Sequence, residues 1–399
     1  MKRMITAFLA LILCLTVLCP AQAKKKSQPS QPSQPSQPSL DLSAPSVLLM
    51  EAETGTILYQ KKEHTARPPA SVTKVMTLCL IFDAIEKNQI SLTDEVTVSE
   101  YAASMGGSQV FLEAGEVQTV ETMIKCISIA SANDACVAMA EFVSGSEEEF
   151  VAQMNKKAAD LGMEDTHFVN CCGLSADGHV TSAYDIALMA RELSVRHPQI
   201  HDYCTIWMEN IIHRTQKGDK EFGLANTNKL LKQYPYATGL KTGYTAAAKY
   251  CLAATAEKDG VKLIAVLMAA PDIKSRTADA QTLFNYGFSV CRVFQDNNLP
   301  KLRDIAVKKG EKDEVALAYE SSMNYVSTSG EDLSKITRKI KIPKSVTAPV
   351  KKGDTAGKVI YYLDKKEIGH INILYDDSVE HAAFADYFLG LVGKLFFLS

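Results

Sequence analysis

The sequence predicts an α+β protein: one antiparallel sheet bracketing a helical middle, then a small all-β domain and a terminal amphipathic helix. Three observations carry this. Two early runs, V-L-L-M-E-A and T-G-T-I-L-Y-Q, and two late ones, Y-C-L-A-A-T-A-E and V-K-L-I-A-V-L-M-A-A, have strand character, and D-G between the late pair marks a hairpin turn. Between these pairs, apolar residues recur at helical spacing. Beyond Pro300 the texture shifts to short β-like runs, D-I-A-V, V-A-L-A-Y, K-I-T-R-K-I-K-I and K-V-I-Y-Y-L, separated by turns such as K-K-G-D.

The chain starts with Lys2 and Arg3, an apolar run from Ile5 to Cys19, and the small residues Ala21 and Ala23. This pattern predicts a signal peptide, residues 1–23, and therefore an exported protein working at the outer face of the cytoplasmic membrane or in the cell-wall space. Residues 24–43 contain the repeat S-Q-P, which has no apolar side chain to bury and reads as a tether. The body then runs from 44 to 297. Its strongest helix candidate is Ser71 to Asn88, with Val75, Leu78, Cys79, Phe82 and Ile85 on one stripe. Further helices are expected at V-E-T-M-I-K-C-I-S-I-A-S, at N-D-A-C-V-A-M-A-E-F-V, at Phe150–Leu161, at Ala183–Arg196 and at Ser275–Phe288. The β-rich domain spans 298–378. In the last segment, 379–399, Phe384, Phe388, Leu391 and Leu395 share a helical face opposite Asp386, Gly390, Gly393 and Lys394. The run is too interrupted to span a bilayer and fits a helix lying on the membrane surface.

With 399 residues, 46% of them hydrophobic, the chain can fold into two or more domains. A net charge of -3 excludes the basic excess expected of a nucleic-acid partner. After the signal peptide eight cysteines remain, several inside apolar periodic runs, where free buried thiols are expected. No C-x-x-C pair is present, so neither metal nor cofactor is predicted.

Three motifs carry chemistry. In A-S-V-T-K, Ser71 and Lys74 are three positions apart on one helical face, and no other serine has a lysine at that spacing. Serine becomes a nucleophile when a base takes its proton, and an apolar helix start is one way to prepare a lysine for that task. By itself the pattern also describes an ordinary helix start. The second motif is S-A-N, Ser131 to Asn133, between two helical segments, where the serine equally suits a helix cap. The third is G-L-K-T-G-Y-T, where Gly239 and Gly243 permit close backbone approach and Lys241 and Thr242 suit a carboxylate. Its alternative is a tight turn with an exposed lysine. His64, His167 and His179 have no spacing that specifies a Ser-His-Asp triad and read as structural or surface residues.

The order S-x-x-K, S-x-N, K-T-G is far more specific than any one member. With it, the chain resembles the class C, low-molecular-mass penicillin-binding proteins, the serine-type D-Ala-D-Ala carboxypeptidases. The resemblance extends through G-S-Q-V-F-L-E-A-G-E, L-G-M-E-D-T-H-F-V-N, C-G-L-S-A-D-G-H-V-T-S-A-Y-D-I-A, N-T-N-K-L-L and A-P-V-K-K-G-D-T-A-G-K-V. It implies a penicillin-binding, β-lactamase-like transpeptidase domain, with Ser71 as the acylated nucleophile, Lys74 as base and Ser131 assisting proton transfer. It further implies that Asn133, Lys241, Thr242 and Gly243 bind substrate, that the N–H groups of Ser71 and Tyr244 hold the oxyanion, and that Arg276 assists carboxylate binding. The partners it implies are peptidoglycan stem peptides, β-lactams as acylating inhibitors, and a membrane surface. A class A β-lactamase would need an E-x-x-L-N segment between the second and third motifs, which is absent here. A cross-link endopeptidase shares the motifs and stays open at this point.

Overall fold

The computed structural model describes residues 39–215 and 218–383. Strand β1 (Ser46–Glu51) pairs antiparallel with β2 (Ile57–Lys61) across the turn at Thr54 and Gly55. A short 3-10 turn, Ala70–Thr73, then leads into α1 (Lys74–Glu86). Ser71 therefore precedes the α-helix that periodicity predicts it to start. Pro68, Pro69 and the positive φ of Ala70 (50°) tighten the entry. Next come β3 (Glu95–Thr97), α2 (Glu100–Ala103), β4 (Val117–Thr119) and α3 (Val120–Lys125). The predicted helix through Ala130 does form, but its second half, Cys126–Ala130, widens into a π turn. It ends at Ser131, in the left-handed region with φ 63°. Such turns recur at functional sites because they re-aim the residue that follows.

Helices α4 (Asn133–Ser144), α5 (Glu147–Asp160), α6 (Ala183–Arg191) and α7 (Ile200–Cys204) complete the helical middle. The segment after α7 holds a hairpin that the sequence reading did not anticipate, β5 (Met208–Thr215) with β6 (Gly218–Ala225), followed by α8 (Leu230–Gln233). The K-T-G stretch is itself a strand, β7 (Ala237–Thr245), which rules out the alternative of a tight turn. It pairs with β8 (Lys249–Lys258), which pairs with β9 (Val261–Ala270), and α9 (Ile273–Val290) closes the body. The antiparallel sheet has the order β2-β1-β9-β8-β7, so β7 is an edge with one side unpaired within the sheet. α1 is buried along almost its whole length, from Lys74 to Ala84. It lies in one apolar cluster with residues of α3, α4, α5, α6 and the sheet. Fixing Lys74 at the head of that helix fixes it against this cluster, out of contact with bulk water.

Beyond α9, strands β10 (Arg292–Gln295), β11 (Ile305–Lys308), β12 (Glu314–Val315), β13 (Leu317–Tyr319) and β14 (Asn324–Ser327) begin the all-β region. Strands β15 (Thr337–Lys341), β16 (Ser345–Thr347), β17 (Thr355–Leu363) and β18 (Lys366–Tyr375) complete it. They build a sheet of order β13-β18-β17-β15 and a smaller one, β12-β11-β16. Buried Asp296, just after β10, ties that strand's end to β17 and β15, accepting from Tyr361 at 2.9 Å and from Arg338. Val379 and His381 are still bridged into this region, and the predicted terminal helix beyond them lies outside the described residues. The signal peptide and nearly all of the tether also lie outside them. The eight described cysteines are buried free thiols, as their apolar settings predict.

Candidate active site

Lys74 is fully buried, and its Nζ reaches three acceptors: Asn133 Oδ1 at 2.6 Å, Cys172 O at 2.7 Å and Ser71 Oγ at 3.1 Å. The 3-10 turn followed by helix places Ser71 and Lys74 on one face, as the spacing requires. Asn133 is held on both sides. Its Nδ2 donates to Gly106 O at 2.7 Å, and its backbone N–H donates to Ser108 O at 2.7 Å. The amide's orientation is thereby set, with Oδ1 toward Lys74. Asp134 beside it is fully buried and accepts the N–H groups of Val110 and Leu112, each at 3.1 Å. Burial raises its pKa, partly offset by these N–H bonds. Asp134 thus fastens the loop after α2 to the S-A-N turn.

β7 approaches the Ser71 turn from the other side. A Cβ placed on Gly243 would lie 2.9 Å from Pro69 O and 3.0 Å from Ser71 N. Only glycine lets the strand come this close to the N–H of Ser71. Tyr244 follows, exposed and packed on Tyr250 with ring centroids 4.5 Å apart. Thr242 Oγ1 shares a 2.7 Å hydrogen bond with Thr227 Oγ1. Lys241 is 1% exposed, and its Nζ donates to Thr242 O at 3.2 Å. Burial first, then the charges of Lys74 and Arg276, hold its pKa well below the usual lysine value. No carboxylate among the described residues pairs with Lys241. Arg276, on α9, is 4% exposed; its Nη1 donates to Cys251 O at 3.2 Å and its Nε has no partner. Cys251 stands opposite Gly243 in the sheet, so Arg276 sits one strand behind the K-T-G edge.

The structure therefore gathers Ser71, Lys74 and Asn133 by direct contact, and it sets Gly243 against Ser71. Ser131 is 4% exposed at the turn leading into Asn133. Sequence reasoning missed the C-C-G-L loop. Asn170 Oδ1 gathers the N–H groups of Cys172, Gly173 and Leu174, at 3.3, 2.7 and 3.1 Å, and so presents Cys172 O to Lys74. The N-C-C-G spacing is an Asx-turn signature that could have flagged it. It also missed Thr227, whose N-T-N context carried a signal only through the resemblance. His179 is structural, as expected. Val169 N–H donates to its Nδ1 at 3.0 Å, which leaves Nε2–H to donate to Thr73 Oγ1 at 2.8 Å. Burial lowers its pKa to about 4, so it stays neutral while bracing the turn that carries Ser71.

Comparisons with known proteins give the family. Residues 29–272 match the family model for D-alanyl-D-alanine carboxypeptidase, and residues 288–381 match that for the penicillin-binding protein 5 C-terminal domain. The chain is 39% identical over 397 residues to D-alanyl-D-alanine carboxypeptidase DacF of Bacillus subtilis, covering 98% of each chain. It is 32% identical to DacC of Escherichia coli, covering 86% of this chain and 87% of the relative. Penicillin-binding protein 5 of Haemophilus influenzae is a solved structure with TM-score 0.63 and 28% identity, covering 86% of this chain and 99% of that one. The Ser-x-x-Lys turn that leads into α1, with the S-A-N turn and the K-T-G edge around it, is set in a chain that belongs to the D-alanyl-D-alanine carboxypeptidase family, serine peptidases with the penicillin-binding fold.

Proposed function

We propose that Ser71 is the acylated nucleophile and Lys74 its general base, acting on peptidoglycan stem peptides that end in D-Ala-D-Ala. The observation that carries this reading is the set of partners around Lys74 Nζ. As an ammonium the group has three hydrogens for three acceptors. As an amine it has two N–H donors and one lone pair. Asn133 Oδ1 and Cys172 O can only accept, so they take the two hydrogens. The lone pair is left for the Ser71 hydroxyl, which can turn and donate.

Ser71 Oγ then bonds to the carbonyl carbon of the penultimate D-alanine, its proton passing to Lys74. The N–H groups of Ser71 and Tyr244 hold the oxyanion, a role supported by the close packing of Gly243 on Ser71 N. The C–N bond breaks, and terminal D-alanine leaves with a proton returned from Lys74 through Ser131. Water adds to the ester and Ser71 is regenerated. β-Lactams acylate the same oxygen. The stem peptide lies along the unpaired side of β7 as an added strand. Its carboxylate meets Lys241 and Thr242, with Arg276 behind them.

Lys241→Met tests the carboxylate role. The expected loss in kcat/KM for a D-Ala-D-Ala pentapeptide is about 10²-fold or more. Stability should move the other way. With its folded pKa held below the usual lysine value, Lys241 binds protons less readily in the folded than in the unfolded chain, so stability rises with pH between the two values. Removing the charge should therefore raise Tm at neutral pH, with the gain shrinking toward the pH where ordinary lysines deprotonate. An unchanged kcat/KM would remove Lys241 from the site.

In the same reading, residues 1–23 direct export and 24–43 form a tether. The residues from 44 to the end of α9 are the catalytic domain, those from β10 to His381 the β-rich domain, and the segment after them, to 399, a helix that holds the enzyme on the outer face of the membrane. Deleting 380–399 should move the protein from the membrane pellet to the soluble fraction; continued pelleting would refute the anchor.

A further inference from the structure

Among the described residues, two groups of metal-ligating side chains are each compact enough to hold an ion, Asp83 with Glu86 and His197, and Glu147 with Cys171 and Cys172. The first is already neutralised. Lys157 sits 3.0 Å from Asp83, Arg196 sits 2.6 Å from Glu86, and His197 donates to Asp83 at 2.9 Å. The second group has no such counter-charge, for no lysine or arginine among the described residues pairs with Glu147.

Cys171 Sγ, Cys172 Sγ and a Glu147 carboxylate oxygen all lie within 4.8 Å of one another. In a tetrahedral zinc site, thiolate and carboxylate ligand atoms stand about 3.5–3.8 Å apart, given bond lengths of about 2.3 and 2.0 Å. A contraction of at most about 1.3 Å closes the set. Glu147 opens the first turn of α5, and two donors already aim its carboxylate: Tyr101 OH at Oε2, 2.7 Å away, and Cys171 N–H at Oε1, 3.0 Å away. Such outer hydrogen bonds are what orient ligating carboxylates. Both thiols are buried, while Glu147 is half-buried beside exposed Tyr101, which provides an entry side. The adjacent cysteines also hold α1: Cys171 O accepts from Thr77 Oγ1, and Cys172 O accepts from Lys74 Nζ at 2.7 Å.

We propose that Cys171, Cys172 and Glu147 form a binding site for a thiophilic divalent cation such as zinc, and that filling it restrains the active site through the Cys172 carbonyl. Ligation releases the two thiol protons and leaves the metal bound by two thiolates, one carboxylate and water. Drawing the Cys172 side chain toward the metal turns the peptide whose carbonyl positions Lys74. The effect on rate rests on Lys74 being the base, whereas the binding does not.

The test uses the purified chain, chelator-stripped and reduced, with Cd²⁺ and Zn²⁺ as probes. One equivalent of Cd²⁺ should produce a thiolate-to-metal absorption band without substrate, and Ser71→Ala should produce it equally. Cys171→Ser should lose the band. Glu147→Gln, which touches no reacting group, should keep the metal-free acylation rate and bind about tenfold or more weakly. Zn²⁺ should slow acylation by a fluorescent penicillin about tenfold or more, reversed by chelator. No band, a band unaffected by Glu147→Gln, or isolation of the pair as a disulfide would overturn the site. A band with an unaltered acylation rate would overturn its coupling to Lys74.

Discussion

Lys74→Ala is expected to slow acylation by a β-lactam, and release of D-alanine from a D-Ala-D-Ala peptide, by about 10²–10⁴-fold, the range for loss of a positioned general base. The reason is local. No other amine among the described residues hydrogen-bonds to Ser71 Oγ, and Lys241 is occupied with the Thr242 carbonyl. Asn133 Oδ1 and Cys172 O would be left facing a void, so an exogenous small amine has a place prepared for it. Partial rescue by methylamine would separate loss of the base from loss of shape. With Lys74 gone, one of the influences that lower the Lys241 pKa is lifted, so carboxylate binding should persist to higher pH in the variant. Stopped-flow acylation measures the first effect; a wild-type acylation rate in Lys74→Ala would remove the lysine from the mechanism.

The second large effect is expected at Gly173. A Cβ there would lie 1.9 Å from Ala70 O, 2.4 Å from Ala70 C and 2.8 Å from Thr73 Oγ1, at a φ of +82° that disfavours any side chain. The obstacle is backbone, so the C-C-G-L loop itself must withdraw from the turn carrying Ser71. It would take the Cys172 carbonyl away from Lys74. Gly173→Ala should cost about 3 kcal/mol or more in stability, from backbone strain and overpacking together. Acylation should fall about 10²-fold through displacement of the base. Gly145 is the matched control. It has φ +83° at the end of α4, but nothing stands within 4 Å of its Cβ position. Gly145→Ala should therefore cost about 1 kcal/mol and leave acylation unchanged. Equal effects in thermal unfolding at the two positions would refute the contact argument.

The contrast between these glycines also shows which parts of the site were legible in the sequence. Gly173, in C-C-G-L, needs its freedom because Ala70 comes against it from far away in the chain, and no local pattern records that. Helix α1 was legible because its apolar residues repeat at helical period, and so was the Ser71–Lys74 juxtaposition. The 3-10 entry was not, since it depends on Ala70 being held at positive φ by packing. The π turn before Ser131 adds one residue per turn without altering the apolar run C-I-S-I-A. For β7 the residues alone leave a tight turn open, because Gly, Lys and Thr fill it, and its strand pairing is imposed by β8. The β5–β6 hairpin has mixed polarity on both faces, so alternation does not announce it. The contribution of Cys172 to the active site is a backbone carbonyl, which has no side-chain signature. The order of the three motifs compensated for these gaps, because it is informative without any knowledge of the loops between them.

The account stands on Ser71 being the atom that becomes acylated. The direct measurement is the position of the covalent adduct after incubation with a penicillin, read by intact mass and then by peptide mapping. One penicilloyl group should appear on the wild-type chain, on the peptide containing Ser71, and none on Ser71→Ala. An adduct that persists in Ser71→Ala, or that maps to Ser131 or any other residue, would contradict it.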